Sequence, residues 1–251
     1  MRPRCKLGIP CQVGQIHIGP DMMIDAVIFD KDGTLFDFQA SWGAWARKML
    51  TDLAQGDQML LHRLAECLRF DLKMTRFHPD SFVIADTPDA IALVLADELP
   101  HREAPDLLDQ INEAAARVEL VEAAPLVPLI LDLQSRGLMI GVVTNDAEAP
   151  ARAHLSGAGV VDAFDIIVGF DSGYGAKPAP DPLLACAKAM GVEPARSLMV
   201  GDSTHDLVAG RAAGMSTMGV LTGPAETAEL NPYADVVLPH IGYLPAWLDR
   251  Q

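Results

Sequence analysis

The sequence predicts an α/β fold: a doubly wound parallel sheet with an α-helical domain inserted after its first strand. Three observations carry this. Six short runs, at 24–29, 139–143, 166–168, 198–200, 218–221 and 236–238, are nearly all apolar, as strands buried on both faces of a parallel sheet are. Helical stretches separate the later runs, and that alternation of strand and helix builds a doubly wound sheet. Between the first run and the second lie roughly 100 residues without a buried strand, far more than a crossover connection needs.

In chain order, residues 1–21 fit neither unit. They are rich in Gly, Pro and Ile and precede Met22-Met23. They read either as a loosely attached N-terminal extension or as untranslated sequence ahead of a start at Met22 or Met23. The first strand then runs into Asp30. In the long interval, Trp42, Trp45, Ala46, Met49, Leu50 and Leu53 fall at i, i+3, i+4, i+7, i+8 and i+11, one face of a helix. Leu61, Leu64, Ala65 and Leu68 repeat the pattern. Thr87-Pro88-Asp89 reads as an N-cap, a first-turn proline and a dipole-matched acid ahead of Ile91, Val94 and Leu95. Leu107, Leu108, Ile111, Ala114, Ala115 and Val118 make a fourth face. Residues 38–121 are therefore expected to form a helical domain, and residues 22–37 and 122–251 the sheet-bearing core. In that core, 126–136 reads as a helix with Pro128 in its first turn and Gly137 as its stop. Helices at 182–190 and 207–213 end at Gly191 and Gly214.

Composition narrows the function. A chain of 251 residues, half of them hydrophobic, buries one core plus a smaller second one. The net charge of -15 repels a phosphate backbone, which argues against a nucleic-acid partner. No apolar run is long enough to span a bilayer, and the basic N-terminal residues lack the apolar stretch of a secretory signal. Cys5, Cys11, Cys67 and Cys186 show no paired or zinc-type spacing, so a reducing cytoplasm is the expected location.

The chemistry lies at the strand ends, because ligands of open parallel sheets bind beyond the carboxyl ends of the strands. The first strand ends in Phe29-Asp30-Lys31-Asp32-Gly33-Thr34-Leu35. Asp30 sits where a nucleophile would be presented, Asp32 projects from the same loop, and Gly33 permits a turn that a β-carbon would obstruct. Asp and Gly are ordinary loop formers, yet D-x-D-G-T-L arises by chance in only roughly one in four thousand chains of this length. The second strand ends in Thr144-Asn145, Lys177 follows the third, and the fourth ends in Gly201-Asp202-Ser203-Thr204-His205-Asp206. Each signal alone reads as loop; together, each at a strand end, they point to one site.

Asp30 and Asp202 are hard oxygen ligands suited to octahedral magnesium, which would also take a substrate phosphate oxygen. The cation and Lys177 reverse the negative field that the carboxylates would present to a phosphate dianion. Thr144, Asn145 and Lys177 are the candidate phosphate-binding groups. Asp30 would attack phosphorus and form an acyl phosphate, while Asp32 protonates the leaving oxygen and later activates water. His205 reads as a polar helix-start residue. Trp42 and Trp45 read as core of the inserted domain, with a place lining the cleft as the alternative. Arg47, Lys73, Arg76 and His78 are candidate partners for a substrate carboxylate, and are otherwise solvated surface charges.

This set resembles the haloacid dehalogenase superfamily in its phosphatase branch. The family's first motif is matched by Asp30 to Thr34, its second by Thr144, its third by Lys177, and its fourth by Gly201-Asp202 with Asp206. The resemblance covers about residues 23–240. It implies a Rossmann-like core with a mobile helical cap, and Mg2+ held by Asp30, the backbone carbonyl of Asp32, and Asp202, with Asp206 as a supporting carboxylate. Within the family the chain is similar to phosphoglycolate phosphatases, in 169–184 and in 200–215. The cap opening after Asp37 departs from that group. The implied function is hydrolysis of a small phosphorylated metabolite, 2-phosphoglycolate first. The alternatives are a hexose-phosphate phosphomutase and a catalytically silent binding protein on the same scaffold.

Overall fold

The computed structural model describes residues 23–78, 80–84 and 86–251; the readings of 1–21 and of Met22 fall outside them. Strand β1 (Ala26–Phe29) is fully buried. The insertion that follows holds helices α1 (Phe38–Ala54) and α2 (Gln58–Cys67). A two-residue hairpin comes next, β2 (Phe70–Asp71) with β3 (Arg76–Phe77), and then α3 (Pro88–Glu98) and α4 (Ala104–Ala115). The remainder alternates: α5 (Leu126–Ser135), β4 (Met139–Val143), α6 (Glu148–Gly157), β5 (Ile166–Val168), α7 (Asp181–Met190), β6 (Ser197–Gly201), α8 (Thr204–Ala212), β7 (Ser216–Val220), α9 (Thr227–Leu230), β8 (Val236–Leu238) and α10 (Leu244–Leu248). The small hairpin and helices α6, α9 and α10 are the regular elements that periodicity had not marked.

The sheet order is β5-β4-β1-β6-β7-β8, and every pairing in it is parallel. Successive residues of β1 point to opposite faces. Val27 and Phe29 pack with Leu126, Leu129 and Leu133 of α5. Ala26 and Ile28 pack with Leu183 and Cys186 of α7 on the other face. That double burial explains a strand with no polar residue. The insertion has its own apolar cluster, from Phe38 through Leu50, Leu64, Leu95 and Ile111 to Ala115. Asp57 caps α2 through Met59 N and Leu60 N. Thr87 occupies the N-cap position of α3 in an extended conformation, but its side chain makes no capping hydrogen bond.

The two chain crossings between core and insertion lie side by side. Asp37 N donates to Val121 O at 2.8 Å and Ala123 N to Leu35 O at 2.9 Å. Asp37 also caps α1, accepting from Ala40 N at 2.9 Å. Among the described residues Cys67 and Cys186 are free thiols, and no helix is long and apolar enough to cross a membrane.

Candidate active site

The carboxyl ends of β1, β4 and β6 converge because these three strands are neighbours in the sheet. They deliver Asp30, Thr144 and Asp202 to one edge. Lys177 reaches the same edge from the loop after β5. Its ammonium, buried, lies 2.6 Å from Asp30 Oδ1, 2.6 Å from Asp206 Oδ1, and 2.8 Å from Val143 O. Asn145 holds the lysine's backbone from both sides, donating to Lys177 O and accepting from Lys177 N, each at 2.9 Å. Thr144 is anchored by its N–H on Val168 O at 3.0 Å, and its hydroxyl accepts from Asp146 N at 3.1 Å. Asp30, Asp32, Thr144, Asn145, Lys177, Asp202 and Asp206 line one cavity; His205 does not.

The electrostatics of this edge are unbalanced. Burial, reinforced by the Asp206 and Asp32 carboxylates and opposed by Lys177, pushes the Asp30 carboxyl up to about 7. Asp202 is raised well above the carboxylate range by burial and by the charges of Asp30 and Asp206. Burial opposes the charge on Lys177, but Asp206 and Asp30 overcome it and hold the ammonium above its ordinary range.

A hard divalent cation fits this donor set. Asp30, Asp202 and Asp206 each bring a carboxylate oxygen within 4.8 Å of the others. Asp206 is already engaged: one oxygen faces Lys177, and the other accepts from Ser203 N at 3.0 Å and Ser203 Oγ at 2.6 Å. Asp202 is different, since its Oδ2 is buried without a hydrogen-bond partner. Leaving a buried carboxylate oxygen bare is costly, and coordination removes that cost. Gly33 makes the approach possible. It sits at φ +84°, and a β-carbon there would collide with the Asp202 carboxylate.

A second cluster lies behind Asp32 and was missed from the sequence. Lys31, fully buried, pairs with Asp32 Oδ2 at 2.5 Å and Asp146 Oδ2 at 3.2 Å, and sits 3.2 Å from His154 Nδ1. A carbonyl can only accept, so the 2.7 Å contact of His154 Nε2 with Ala115 O places the ring proton on Nε2. Nδ1 is then the acceptor toward Lys31. Burial and the neighbouring Lys31 charge hold His154 below its usual range, which keeps it neutral. The other Asp32 oxygen accepts from Trp42 Nε1 of α1 at 2.7 Å. Asp32 and His154 thus tie the core to two helices of the insertion. The legible signal was Lys31 itself, a lysine wedged between two site aspartates at the end of a buried strand.

Trp42 and Trp45, edge to face with centroids 5.1 Å apart, line the cavity together. Cleft lining, the alternative reading of the pair, therefore describes them along with their place against the insertion's cluster. The four cations expected to face a substrate carboxylate, Arg47, Lys73, Arg76 and His78, are exposed, and none lines the cavity. Arg47 instead donates to Leu72 O in the turn of the small hairpin.

Comparison with known proteins agrees with this geometry. The model of the haloacid dehalogenase-like hydrolases matches residues 24–214. The chain is 34% identical over 230 residues to a phosphoglycolate phosphatase of Rhodospirillum rubrum, covering 90% of this chain and 91% of that one. It is 28% identical over 218 residues to the phosphoglycolate phosphatase of Escherichia coli strain K12, covering 80% and 82%. Among solved structures, CbbY from Rhodobacter sphaeroides in complex with phosphate superposes with a TM-score of 0.66 at 20% identity, covering 90% of this chain and all of that one. A hydrolase of the same family from Deinococcus radiodurans R1, with bound phosphate and sodium, gives 0.62 at 25% identity, covering 92% and 97%. Strand order, site geometry and a match across most of the chain agree: this protein belongs to the haloacid dehalogenase-like hydrolases and is an enzyme of the phosphoglycolate phosphatase-like kind.

Proposed function

We propose that the chain is a magnesium-dependent phosphatase that cleaves small phosphate monoesters in the cytoplasm through an aspartyl-phosphate on Asp30. The observation that carries the reading is the bare, buried Oδ2 of Asp202 beside Asp30 and Lys177. Asp30, Asp202 and the backbone carbonyl of Asp32 would hold the cation, with Asp206 supporting them through Lys177. Bound there, magnesium would supply positive charge to the phosphate oxygens and Lewis acidity toward phosphorus. Lys177 orients Asp30 by gripping Oδ1, which leaves the other oxygen to attack phosphorus. Asn145 fixes the Lys177 backbone, and the Thr144 hydroxyl faces the transferred group. Asp32, held by Lys31 and Trp42, passes a proton to the leaving oxygen and recovers one from the water that hydrolyses the phosphoenzyme. 2-Phosphoglycolate is the ester that the relatives' names put first for assay, and free inorganic phosphate is the product to be measured.

Magnesium binding tests the metal reading. The carboxyl of Asp30 is raised from 3.8 to about 7. The ion-free folded protein therefore holds a proton across that window that the unfolded chain gives up. Its contribution to stability is present below the unfolded value and is lost as pH rises through the folded one. A cation needs the carboxylate, so below about 7 it must displace that proton. The expected result is a larger magnesium-induced rise in melting temperature at about pH 8 than at about pH 5. Equal rises at both would remove Asp30 from the cation site.

Asp32→Asn tests the proton role. Turnover of alkyl phosphates is expected to fall by roughly 10²–10⁴-fold, and that of aryl phosphates much less, because aryl oxides leave without a proton. Matching losses on both ester classes would take Asp32 out of the acid role.

A further inference from the structure

The cavity above Asp30 has two ends of different character. The core end carries the carboxylates and Lys177. The end supplied by the insertion is apolar and aromatic, with Trp42, Trp45, Phe77, Ile84 and Ile111 in its wall. The charged residue that the insertion adds is an acid, Asp86, exposed at the rim. Among the described lining residues the only Lys, Arg or His is Lys177, and its ammonium is already shared between Asp30 and Asp206. Whatever part of a substrate lies beyond the phosphate therefore meets hydrocarbon, ring faces and one negative charge.

We propose that the site selects phosphate esters of uncharged, largely apolar alcohols and discriminates against leaving groups that carry a carboxylate. The proposal rests on the phosphatase reading and departs from 2-phosphoglycolate within it. A carboxylate bound at this end would lose its water and gain no cation, and a buried anion without a partner is strongly disfavoured. Asp86 adds like-charge repulsion, as do the core carboxylates not covered by Lys177 and the cation. An apolar group gains instead by leaving water for the aromatic wall. The cavity measures about 90 Å³. At about 10–15 Å³ for each water position, that admits a phosphate and a short alcohol rather than a polymer.

Isobutyl phosphate tests this directly, because its two methyl groups replace the carboxylate oxygens of 2-phosphoglycolate at nearly the same shape. Its alcohol is the poorer leaving group, so intrinsic reactivity works against the expected outcome. With magnesium, kcat/KM for isobutyl phosphate should exceed that for 2-phosphoglycolate at least about tenfold, with the difference mainly in KM. Asp86→Lys, at an exposed position that tolerates the change, should shift the ratio toward 2-phosphoglycolate at least about fivefold. Equal or reversed preference in the wild type would overturn the leaving-group class and leave the phosphatase reading standing. Failure to turn over either ester or p-nitrophenyl phosphate, with magnesium present and the fold intact, would overturn both.

Discussion

Asp30→Asn is expected to abolish turnover, with kcat falling at least about ten-thousand-fold, while the protein stays folded. An amide nitrogen or oxygen at this position cannot form the acyl phosphate, so the reaction loses its covalent route. The fold should not suffer. Asn is isosteric, and Lys177 keeps Asp206 at 2.6 Å and Val143 O at 2.8 Å. Asp30 is also crowded by the carboxylates of Asp206 and Asp32, which together with burial push it up to about 7. Removing one charge from that cluster relieves repulsion, so the ion-free variant should melt at the same temperature as the wild type or above it. Rapid-quench phosphoenzyme trapping and a melting curve are the two measurements. Activity within tenfold of wild type, with native circular dichroism, would refute the mechanism.

Lys177→Met should damage both stability and activity. The ammonium is buried between two aspartates and a carbonyl. Methionine fills similar volume but leaves Asp30 and Asp206 facing each other without a counter-charge. Removing one partner of a buried ion pair costs about 3 kcal/mol or more. Denaturant unfolding of the ion-free protein should show that loss, and magnesium should recover part of it by supplying positive charge nearby. Activity should drop by about 10²–10³-fold even with saturating magnesium, the cost typical of removing a preorganised group that stabilises developing charge. A variant as stable as wild type would show that Lys177 does not compensate this cluster. A stable variant with full activity would dismiss it from the site altogether.

The parts of this protein legible in the sequence are those set by local periodicity and by chemistry confined to one segment. Ala-Val-Ile-Phe at 26–29 has no polar residue because both faces of β1 are covered, so a buried parallel strand was legible in the run at 24–29, while its central place in the sheet was not. The Asp30 to Thr34 string pointed to its own site, because the proposed nucleophile, the proposed acid and the turn glycine fall within one loop. The helical insertion followed from 3.6-residue spacing within an interval too long for a crossover connection. Fold class and family are therefore legible in the sequence itself.

The tertiary structure decided what depends on residues far apart in the chain. That Lys177 bridges Asp30 and Asp206, and that Asn145 grips the lysine's backbone rather than simply lying beside it, are long-range pairings that no local pattern encodes. Lys31 is the sharpest case. Its neighbours in sequence explain its contact with Asp32, but only the fold brings His154 of α6, tied through its other ring nitrogen to the Ala115 carbonyl of α4, beside it. The cap side of the cavity was decided in the same way. An amphipathic helix shows which of its faces is apolar but not what that face meets, so Trp42 and Trp45 could serve either the insertion's core or the cleft. In the folded chain they serve both, while Arg47, Lys73, Arg76 and His78 turn to solvent. Charged side chains keep their hydration wherever no buried partner compensates its loss, and that balance is set by packing between distant segments, not by local pattern.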